Sequence, residues 1–315
     1  MDTRRLGGSD LDVSVLGLGC NQIGRVVDAA GAAALLDACE EAGVTLLDTS
    51  DIYGARGVAS EALLGEALAG RRDRFIVATK FGMEISGMDG VPDLPRGSRE
   101  YIRWAVEGSL RRLRTDVIDL YQYHEPDGIT PVAETLAALG ELVAEGKVRF
   151  IGSSNVSAAQ VDEAAAVAAG RGLTAFVSVQ NKYSLIDRAI EAEVIPACER
   201  HGLGVIPFFP LEMGLLTGKY RRGEPAPAGA RLAARDEIAD DATFGVLEAL
   251  ERYAAERSLT MLDVAIGGLA ARPQVTTVIA GATRPEQIAA NARAAGWQPG
   301  AADLAALDAI TAPAS

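Results

Sequence analysis

The chain has 315 residues, of which 49% are hydrophobic and 23% are charged, a composition typical of soluble globular proteins rather than of disordered or fibrous ones. Its formal net charge of −13 argues against nucleic acid as a partner, because phosphate backbones are bound through clustered lysines and arginines. An anionic small molecule would need a local basic site, since the overall field repels it.

The cysteines and the N-terminus bear on the cellular setting. Cys20, Cys39 and Cys198 have neither metal-binding spacing nor an even count for a disulfide framework, which favours a reducing compartment. The first residues lack the long apolar core of a signal peptide, and no apolar run is long enough to span a bilayer. We therefore predict a cytoplasmic protein without a membrane partner.

The order of apolar and amphipathic segments predicts the elements along the chain. The residues before Val15 predict a short N-terminal β-hairpin with its turn at Gly7-Gly8-Ser9, placed to close the bottom of a barrel. From Val15 onward, apolar runs alternate with segments of helical periodicity at intervals of roughly 30 to 40 residues, the rhythm of βαβ units. The predicted strands are Val15–Gly19, Thr45–Leu47, Phe75–Thr79, Val117–Tyr121, Val148–Gly152, Ala175–Val179, Gly204–Pro207 and Thr276–Ile279. Helical segments between them include Ala33–Glu41, Ile102–Leu113, Val132–Ala144 and Ala189–Glu199.

Eight strand–helix units close most simply into a barrel. An open doubly wound sheet would carry a G-x-G-x-x-G phosphate loop after its first strand, and residues 19–24 (GCNQIG) do not match that pattern. We predict an α/β fold, a (β/α)8 TIM barrel that forms a single domain over residues 1–315. The irregular stretch Arg221–Asp240 is a long loop after the seventh strand, either functional or a surface insertion.

Polar residues follow three neighbouring predicted strands, at the end of a barrel where active sites lie. Asp48, Lys80 and His124 follow the second, third and fourth strands, and Tyr53 lies in the loop after the second. Taken singly, they also have structural interpretations as a helix cap, a solvated strand end, a core histidine and a loop aromatic residue. Their positions on adjacent strands favour one shared site.

These four side chains are suited to carbonyl reduction. A hydride that reaches a carbonyl carbon leaves negative charge on the oxygen, so a proton donor must lie within hydrogen-bond reach. Tyr53 can be that donor, and a neighbouring Lys80 ammonium would lower its pKa. Asp48 would hold Lys80 charged and in place, while His124 would orient the carbonyl oxygen.

Several ordered motifs support this chemistry and point to a family. They are residues 17–19 (GLG), 43–54 (GVTLLDTSDIYG), 60–65 (SEALLG), 109–113 (SLRRL) with 119–121 (DLY), 146–149 (GKVR) with 151–155 (IGSSN), and 214–220 (GLLTGKY). In these the chain resembles the aldo-keto reductases. The resemblance implies a reversible NADP(H)-dependent oxidoreductase that reduces aldehydes or ketones to alcohols, with Asp48, Tyr53, Lys80 and His124 as its catalytic tetrad.

The resemblance also implies a nicotinamide cofactor, NADP(H), bound extended across the barrel rim. Ser154, Asn155 and Gln180 match the residues that hold its carboxamide, although Asn155 could instead cap the helix that follows. Phe208 falls where an aromatic ring stacks on the nicotinamide. Phe209 replaces the small serine that is usual there, so a hydrogen bond to the phosphates is expected to be lost.

Two further segments match the phosphate and adenosine sites. Pro210, Leu211 and Gly214 continue the pattern of backbone donors around the pyrophosphate, with Lys219 as its cation and Arg231 as a second contact; both cations could also be solvated surface charges. The 2′-phosphate and adenine would be held by Gly281, Thr283, Arg284, Gln287 and Asn291. Arg284 suits a dianionic phosphate and favours NADP over NAD. Ala290 stands where relatives carry an acidic residue, which weakens adenine recognition.

The substrate pocket is less defined than the cofactor site. Phe81, Met83 and Met213 are candidate apolar walls or packing residues, and Glu212 is expected to disfavour anionic substrates. The expected partner is a small carbonyl or alcohol, and the oligomeric state stays open.

Three other functions are consistent with parts of the pattern. One is a sugar (aldose) dehydrogenase working in the oxidative direction. Another is an NADP-binding, redox-sensing regulatory subunit, which His124 disfavours. The last is a barrel aldolase or isomerase that uses Lys80 as a Schiff-base amine, which Asp48 disfavours.

Overall fold

The computed structural model describes residues 1–54, 59–84, 90–233, 235 and 238–312. Two short strands open the chain, β1 (Thr3–Arg5) and β2 (Asp12–Ser14). The eight strands that follow are β3 (Leu16–Gly19), β4 (Leu46–Asp48), β5 (Ile76–Phe81), β6 (Ile118–Tyr123), β7 (Val148–Ser154), β8 (Ser178–Gln180), β9 (Gly204–Val205) and β10 (Val278–Gly281). They form one parallel sheet in the order β10-β3-β4-β5-β6-β7-β8-β9.

The two edges of this sheet meet, so that it forms a barrel. β10 pairs with β3 in parallel. At the other edge, the Thr276 N–H donates to the Val205 carbonyl (2.9 Å) and the Ile279 N–H donates to the Pro207 carbonyl (3.1 Å). These bonds join β9 to β10, which confirms the predicted (β/α)8 barrel.

The helices alternate with the barrel strands. They are α1 (Ala29–Ala42), α2 (Ala59–Ala67), α3 (Arg99–Leu113), α4 (Val132–Ala144), α5 (Ala158–Arg171), α6 (Val194–His201), α7 (Asp241–Glu256), α8 (Gly268–Ala270), α9 (Pro285–Ala295) and α10 (Ala301–Thr311). Their ends follow local chemistry: the Asp28 carboxylate accepts a hydrogen bond from the Gly31 N–H at the start of α1, and Gly43 ends that helix in the left-handed region. In the part of the chain that the structure describes, no helix is long and apolar enough to cross a bilayer.

The N-terminal hairpin closes the bottom of the barrel, as predicted. β1 and β2 pair in antiparallel fashion, and Gly7 in the turn has a φ of +54°. A Cβ atom at Gly7 would lie 2.2 Å from the Val177 carbonyl oxygen, so only glycine fits against the barrel floor. The hairpin's apolar side chains are buried with residues from the barrel interior: Leu6, Leu11 and Val13 against Leu46, Ala78, Leu120, Ile206 and Ile279.

Some predicted boundaries shift for identifiable reasons. β9 ends at Val205, before Pro207, whose ring nitrogen has no hydrogen to donate to a ladder. The predicted helix Ala189–Glu199 is a 3-10 turn, Ala189–Glu191, followed by α6, because Pro196 cannot donate a helical hydrogen bond to residue 192. β5 runs to Phe81, so that Lys80 lies within the strand rather than after it.

Candidate active site

The upper ends of five consecutive strands bring a polar network together. Lys80 on β5 pairs in register with Gln122 on β6, and Ser154 on β7 pairs with Gln180 on β8. At the centre lies Asp48 on β4, whose carboxylate accepts hydrogen bonds from Lys80 Nζ (2.7 Å), Gln180 Nε2 (2.9 Å) and Gln122 Nε2 (3.3 Å). A buried carboxylate with three donors is held in one orientation.

Lys80 is fully buried, and each of its three N–H bonds has an acceptor. Besides Asp48, the ammonium donates to the Thr49 carbonyl (3.0 Å) and to the Tyr53 hydroxyl oxygen (3.2 Å). Burial by itself would lower the pKa of Lys80, but Asp48 and Tyr53 outweigh burial and raise it. Lys80 is therefore a fixed cation, unsuited to act as a neutral amine nucleophile.

The bond from Lys80 determines what the Tyr53 hydroxyl can do. Because the oxygen accepts from Lys80, the hydroxyl hydrogen is left for a partner in the cavity that Tyr53 lines. Burial raises the pKa of Tyr53, and although Lys80 opposes this, the net shift is upward. The prediction that Lys80 lowers the pKa of Tyr53 is wrong, because the effect of burial is larger than that of the Lys80 ammonium. Tyr53 is a protonated hydroxyl at neutral pH.

His124 follows β6 and stands beside Tyr53. The two rings meet edge to face, with centroids 6.0 Å apart. His124 Nδ1 lies 3.2 Å from Ser50 Oγ. Burial and the nearby Lys80 charge lower the pKa of His124 to about 2, so its imidazole is neutral. A neutral imidazole can donate one hydrogen bond to a carbonyl oxygen without protonating it.

A cavity of about 910 Å³ opens above these residues. Lys80 lies beneath its floor, and Arg284 and Asn291 lie outside its lining, while the other predicted site residues border it: Asp48, Tyr53, His124, Ser154, Asn155, Gln180, Phe208, Pro210, Leu211, Gly214, Lys219, Arg231, Gly281, Thr283 and Gln287. Sequence reasoning missed Asn21 and Gln22, which come directly after β3. The rule that polar residues after barrel strands form the site would have found them.

The residues expected at the nicotinamide end leave two acceptor oxygens available. Asn155 Nδ2 donates to the His124 carbonyl (3.0 Å), and Gln180 Nε2 donates to Asp48. Within the described residues, no donor reaches Asn155 Oδ1 or Gln180 Oε1, which suits a carboxamide NH₂. Asn155 does not cap α5, because Ser157 and Gln160 form the capping box there. The alternative structural interpretation of Asn155 is thus wrong.

The loop expected at the pyrophosphate has an unusual backbone. Phe209, Glu212 and Met213 all have positive φ, at 55°, 44° and 53°, and Gly214 follows at 100°. Each such non-glycine residue costs roughly 1 to 2 kcal/mol. A Cβ atom at Gly214 would lie 2.8 Å from Lys219 Nζ, so the glycine lets the cation approach the loop.

Glu212 holds this loop in place. Its side chain is buried and outside the cavity lining, where it accepts a hydrogen bond from Ser184 Oγ (3.1 Å) and pairs with Lys182 (3.2 Å). This buried position outside the cavity lining does not fit the expectation that Glu212 disfavours anionic substrates. The Glu212 side chain is long enough for its carboxylate to reach Lys182 and Ser184 in the segment that follows β8. These contacts hold the strained loop in place.

The cations at this end contrast with the acidic surface. The Arg231 guanidinium lies over the Phe209 ring, 5.2 Å from its centroid, so the ring that replaces serine supports a cation instead of donating a hydrogen bond. In the described chain, neither Lys219 nor Arg231 has a carboxylate partner, and burial lowers the pKa of both. The Gly214 N–H donates to the Leu211 carbonyl (2.8 Å) and Pro210 has no N–H, so neither is an available backbone donor to a pyrophosphate. The two cations fit a phosphate group by their charge.

The predicted adenosine segment lies at the start of α9. Thr283 donates to Gln287 Oε1 through its backbone N–H (2.7 Å) and its hydroxyl (3.2 Å). Arg284 is exposed at the position before the helix, while Asn291 is buried two turns further on. A helix N-terminus with an adjacent exposed guanidinium suits a phosphate group. In the described chain, no three potential ligands cluster to hold a metal ion.

Comparison with known proteins identifies the family. The sequence profile described as "Aldo/keto reductase family" matches residues 15–312. The chain belongs to this family. It is 36% identical over 306 residues to a "Probable voltage-gated potassium channel subunit beta" of Oryza sativa subsp. japonica, an alignment that covers 93% of this chain and 91% of the relative. It is also 36% identical over 294 residues to the "Uncharacterized oxidoreductase YrpG" of Bacillus subtilis (strain 168), covering 91% and 89%.

Proposed function

We propose that this aldo/keto reductase is an NADP(H)-dependent enzyme that reduces aldehydes or ketones to alcohols, reversibly. The observation that carries the proposal is the hydrogen bond from Lys80 to the Tyr53 hydroxyl oxygen, which leaves the hydroxyl hydrogen for the cavity. NADP(H), when bound, would supply the hydride, and Tyr53 would supply the proton to the carbonyl oxygen.

The other three residues prepare Tyr53 for this step. Lys80 stabilises the phenolate that remains once the proton has left, and Asp48 keeps Lys80 ionised while it is buried. His124, neutral and beside Tyr53, donates to the same carbonyl oxygen and fixes its direction. The protein thus offers a positioned acid and a positioned donor at the edge of the cavity.

The choice of NADP over NAD rests on the phosphate end. In the part of the chain that the structure describes, Lys219 and Arg231 border the cavity without carboxylate partners, and Arg284 is exposed at the start of α9. These cations belong to a chain whose overall charge is −13, and a bound anion would give each of them a partner of opposite charge. The 2′-phosphate of NADP would be the group that Arg284 contacts.

The state of Tyr53 and the cysteines bear on the reaction and its setting. A tyrosine with a raised pKa keeps its proton at neutral pH, which is the form that carbonyl reduction requires. The partner is then a small carbonyl compound. The described cysteines are all free and buried, in keeping with a reducing cytoplasm.

A second candidate function has one observation in its favour. The similarity to a probable voltage-gated potassium channel β subunit extends over 91% of that relative, which supports a role as a regulatory subunit. Catalytic turnover separates the two: a redox-sensing subunit needs tight cofactor binding without rapid carbonyl reduction. The complete set of Asp48, Tyr53, Lys80 and His124 makes turnover the better proposal.

The test is a spectrophotometric assay of NADPH and NADH consumption against a panel of aldehydes and ketones. We expect consumption of NADPH at a higher kcat/KM than NADH with at least one class of carbonyl. Tight binding of NADPH without consumption across the panel would favour the regulatory role. Failure to bind either cofactor would overturn both proposals.

A further inference from the structure

A chain of three polar groups leads from His124 into the protein interior. Ser50 Oγ lies 3.2 Å from His124 Nδ1 and also 3.2 Å from Asp51 Oδ1. Ser50 and Asp51 are fully buried and neither borders the cavity, whereas His124 does. The nitrogen that His124 presents to the cavity is therefore Nε2, and the state of Nδ1 depends on Ser50.

The Ser50 hydroxyl has only one hydrogen, so the hydrogen bonds of the chain run in one of two directions. If Asp51 is ionised, Ser50 donates to Asp51 and accepts from His124 Nδ1–H, which leaves Nε2 without a hydrogen. If Asp51 is protonated on Oδ1, the oxygen that faces Ser50, it donates to Ser50, Ser50 donates to Nδ1, and the hydrogen of the neutral imidazole is on Nε2. The Ile52 N–H points at the same Ser50 oxygen (3.4 Å) and is compatible with both arrangements.

The surroundings of Asp51 favour the protonated carboxyl. Within the described residues Asp51 Oδ2 is buried without a hydrogen-bond partner, a poor environment for an ion. Burial, and then the charge of Glu61, raise the pKa of Asp51 well above its usual range, against opposing effects of Arg112, Ser50 and Lys80.

The charged and titratable groups around Asp51 do not cancel this effect. Arg112 is paired with Glu61 at 2.7 Å, and Lys80 with Asp48 at 2.7 Å, so neither cation is free to serve Asp51. Among the described residues, the remaining titratable groups that face Asp51 are Tyr101 and Tyr121, buried phenols whose own pKa values are raised.

We propose that protonated Asp51 is a positioning residue that acts through Ser50 to hold His124 as the tautomer with its hydrogen on Nε2. The role of this tautomer rests on the proposed function. An Nε2–H that faces the cavity can donate to a carbonyl oxygen, whereas an Nε2 without a hydrogen would repel that oxygen. Asp51 and Ser50 touch neither substrate nor cofactor. They determine which ring nitrogen of His124 carries the hydrogen.

The tautomer is directly measurable because the chain has two histidines, His124 and His201. His201 is on the surface, where its Nε2 contacts Asp162 (2.7 Å), so His201→Gln leaves a single imidazole without touching the site. Proton–nitrogen correlation spectra of the imidazole-labelled His201→Gln protein at neutral pH then report one ring. We expect the Nε2–H tautomer. The Nδ1–H tautomer in this otherwise native protein would overturn the proposal, whether or not any carbonyl is reduced.

Matched variants at residue 51 separate positioning from mere packing. Asp51→Asn has an amide N–H that donates to Ser50 as the protonated carboxyl does, so we expect the Nε2–H tautomer and a kcat within a few-fold of the native value. Asp51→Ala and Ser50→Ala each break the chain, and we expect a mixture of tautomers and a kcat lowered roughly tenfold. The KM for NADPH should stay unchanged in all three, because the cofactor residues are not involved.

Two outcomes with these variants would contradict the proposal. One is a pure Nε2–H tautomer with full kcat in folded Asp51→Ala and Ser50→Ala proteins. The other is an Asp51→Asn protein that loses the Nε2–H tautomer as completely as Asp51→Ala does. Absence of all carbonyl reduction in the native protein, combined with the Nε2–H tautomer, would sink the proposed function and leave this inference standing.

Discussion

The two ends of the cavity are built in opposite ways. At the catalytic end, Asp48 and Lys80 are buried and their hydrogen-bonding capacity is filled by protein groups. At the phosphate end, Lys219 and Arg231 have no carboxylate partners in the described chain, and the backbone from Phe209 to Gly214 adopts strained angles. The barrel preorganises the chemistry, whereas a bound anion would complete the cofactor loop.

This difference gives the two ends different energetic roles. A buried ion pair contributes little net stability when intact, but losing one partner leaves the other charge buried and uncompensated. An exposed cation contributes little to folding and much more to binding an anion. The same substitution should therefore affect folding at one end and cofactor affinity at the other.

The largest expected effect is that of Lys80→Met. It leaves Asp48 buried without its cation, so we expect a loss of about 3 to 5 kcal/mol in the free energy of unfolding, measured by urea denaturation. The kcat should fall at least roughly 100-fold, because the Tyr53 phenolate loses its stabilising charge. In the double variant with Asp48→Asn, we expect stability to return in large part and activity to stay low.

Lys219→Met is the matched change at the phosphate end. We expect stability within about 0.5 kcal/mol of the native protein, since surface substitutions rarely cost more. The KM for NADPH should rise roughly tenfold as a charged contact to phosphate is lost. Equal losses of stability for Lys80→Met and Lys219→Met would remove the distinction between the two ends.

Arg284→Ala tests the choice of cofactor at the same end. We expect the KM for NADPH to rise several-fold to roughly tenfold, with little change for NADH, because only NADPH carries the 2′-phosphate. Steady-state kinetics with both cofactors provide the measurement. If the two KM values rise equally, Arg284 does not distinguish NADP from NAD.

A smaller effect is expected from Glu212→Ala, which frees the strained loop from Lys182 and Ser184. The dissociation constant of NADPH, followed by the quenching of protein fluorescence, should rise a few-fold while kcat stays near the native value. Glu212→Gln retains the bond from Ser184 and serves as the control. A lowered kcat with unchanged NADPH affinity would mean that Glu212 acts on the substrate after all.

The smallest effect is predicted for pH. Because the pKa of Tyr53 is raised, its proton stays bound through neutral pH, and the kcat for reduction should be level between about pH 6 and pH 8. The rate should fall only as the pH passes above the ordinary tyrosine range, and alcohol oxidation should rise over the same interval. A fall in reduction rate already near pH 7 would contradict the direction of the Tyr53 shift.

The sequence predicted the features of the site that depend only on the order of strands along the chain. Asp48, Lys80 and His124 could be placed together because parallel strands of a barrel end at one rim. The sequence could not predict the features that depend on how side chains pack. The net pKa shift of Tyr53 reflects how much protein covers it, and Glu212 proved buried because the loop turns its side chain inward. Ser50 and Asp51 looked like motif residues, and only their distances to His124 link them to the site.

The central claim is that the Tyr53 hydroxyl is the proton donor, and one measurement tests it most directly. Single-turnover oxidation of bound NADPH by a saturating carbonyl substrate, followed by absorbance, compares the native protein with Tyr53→Phe. We predict that hydride transfer in the variant falls by a factor on the order of 100 to 10,000, while NADPH binding is unchanged. Native rates in Tyr53→Phe would contradict the account.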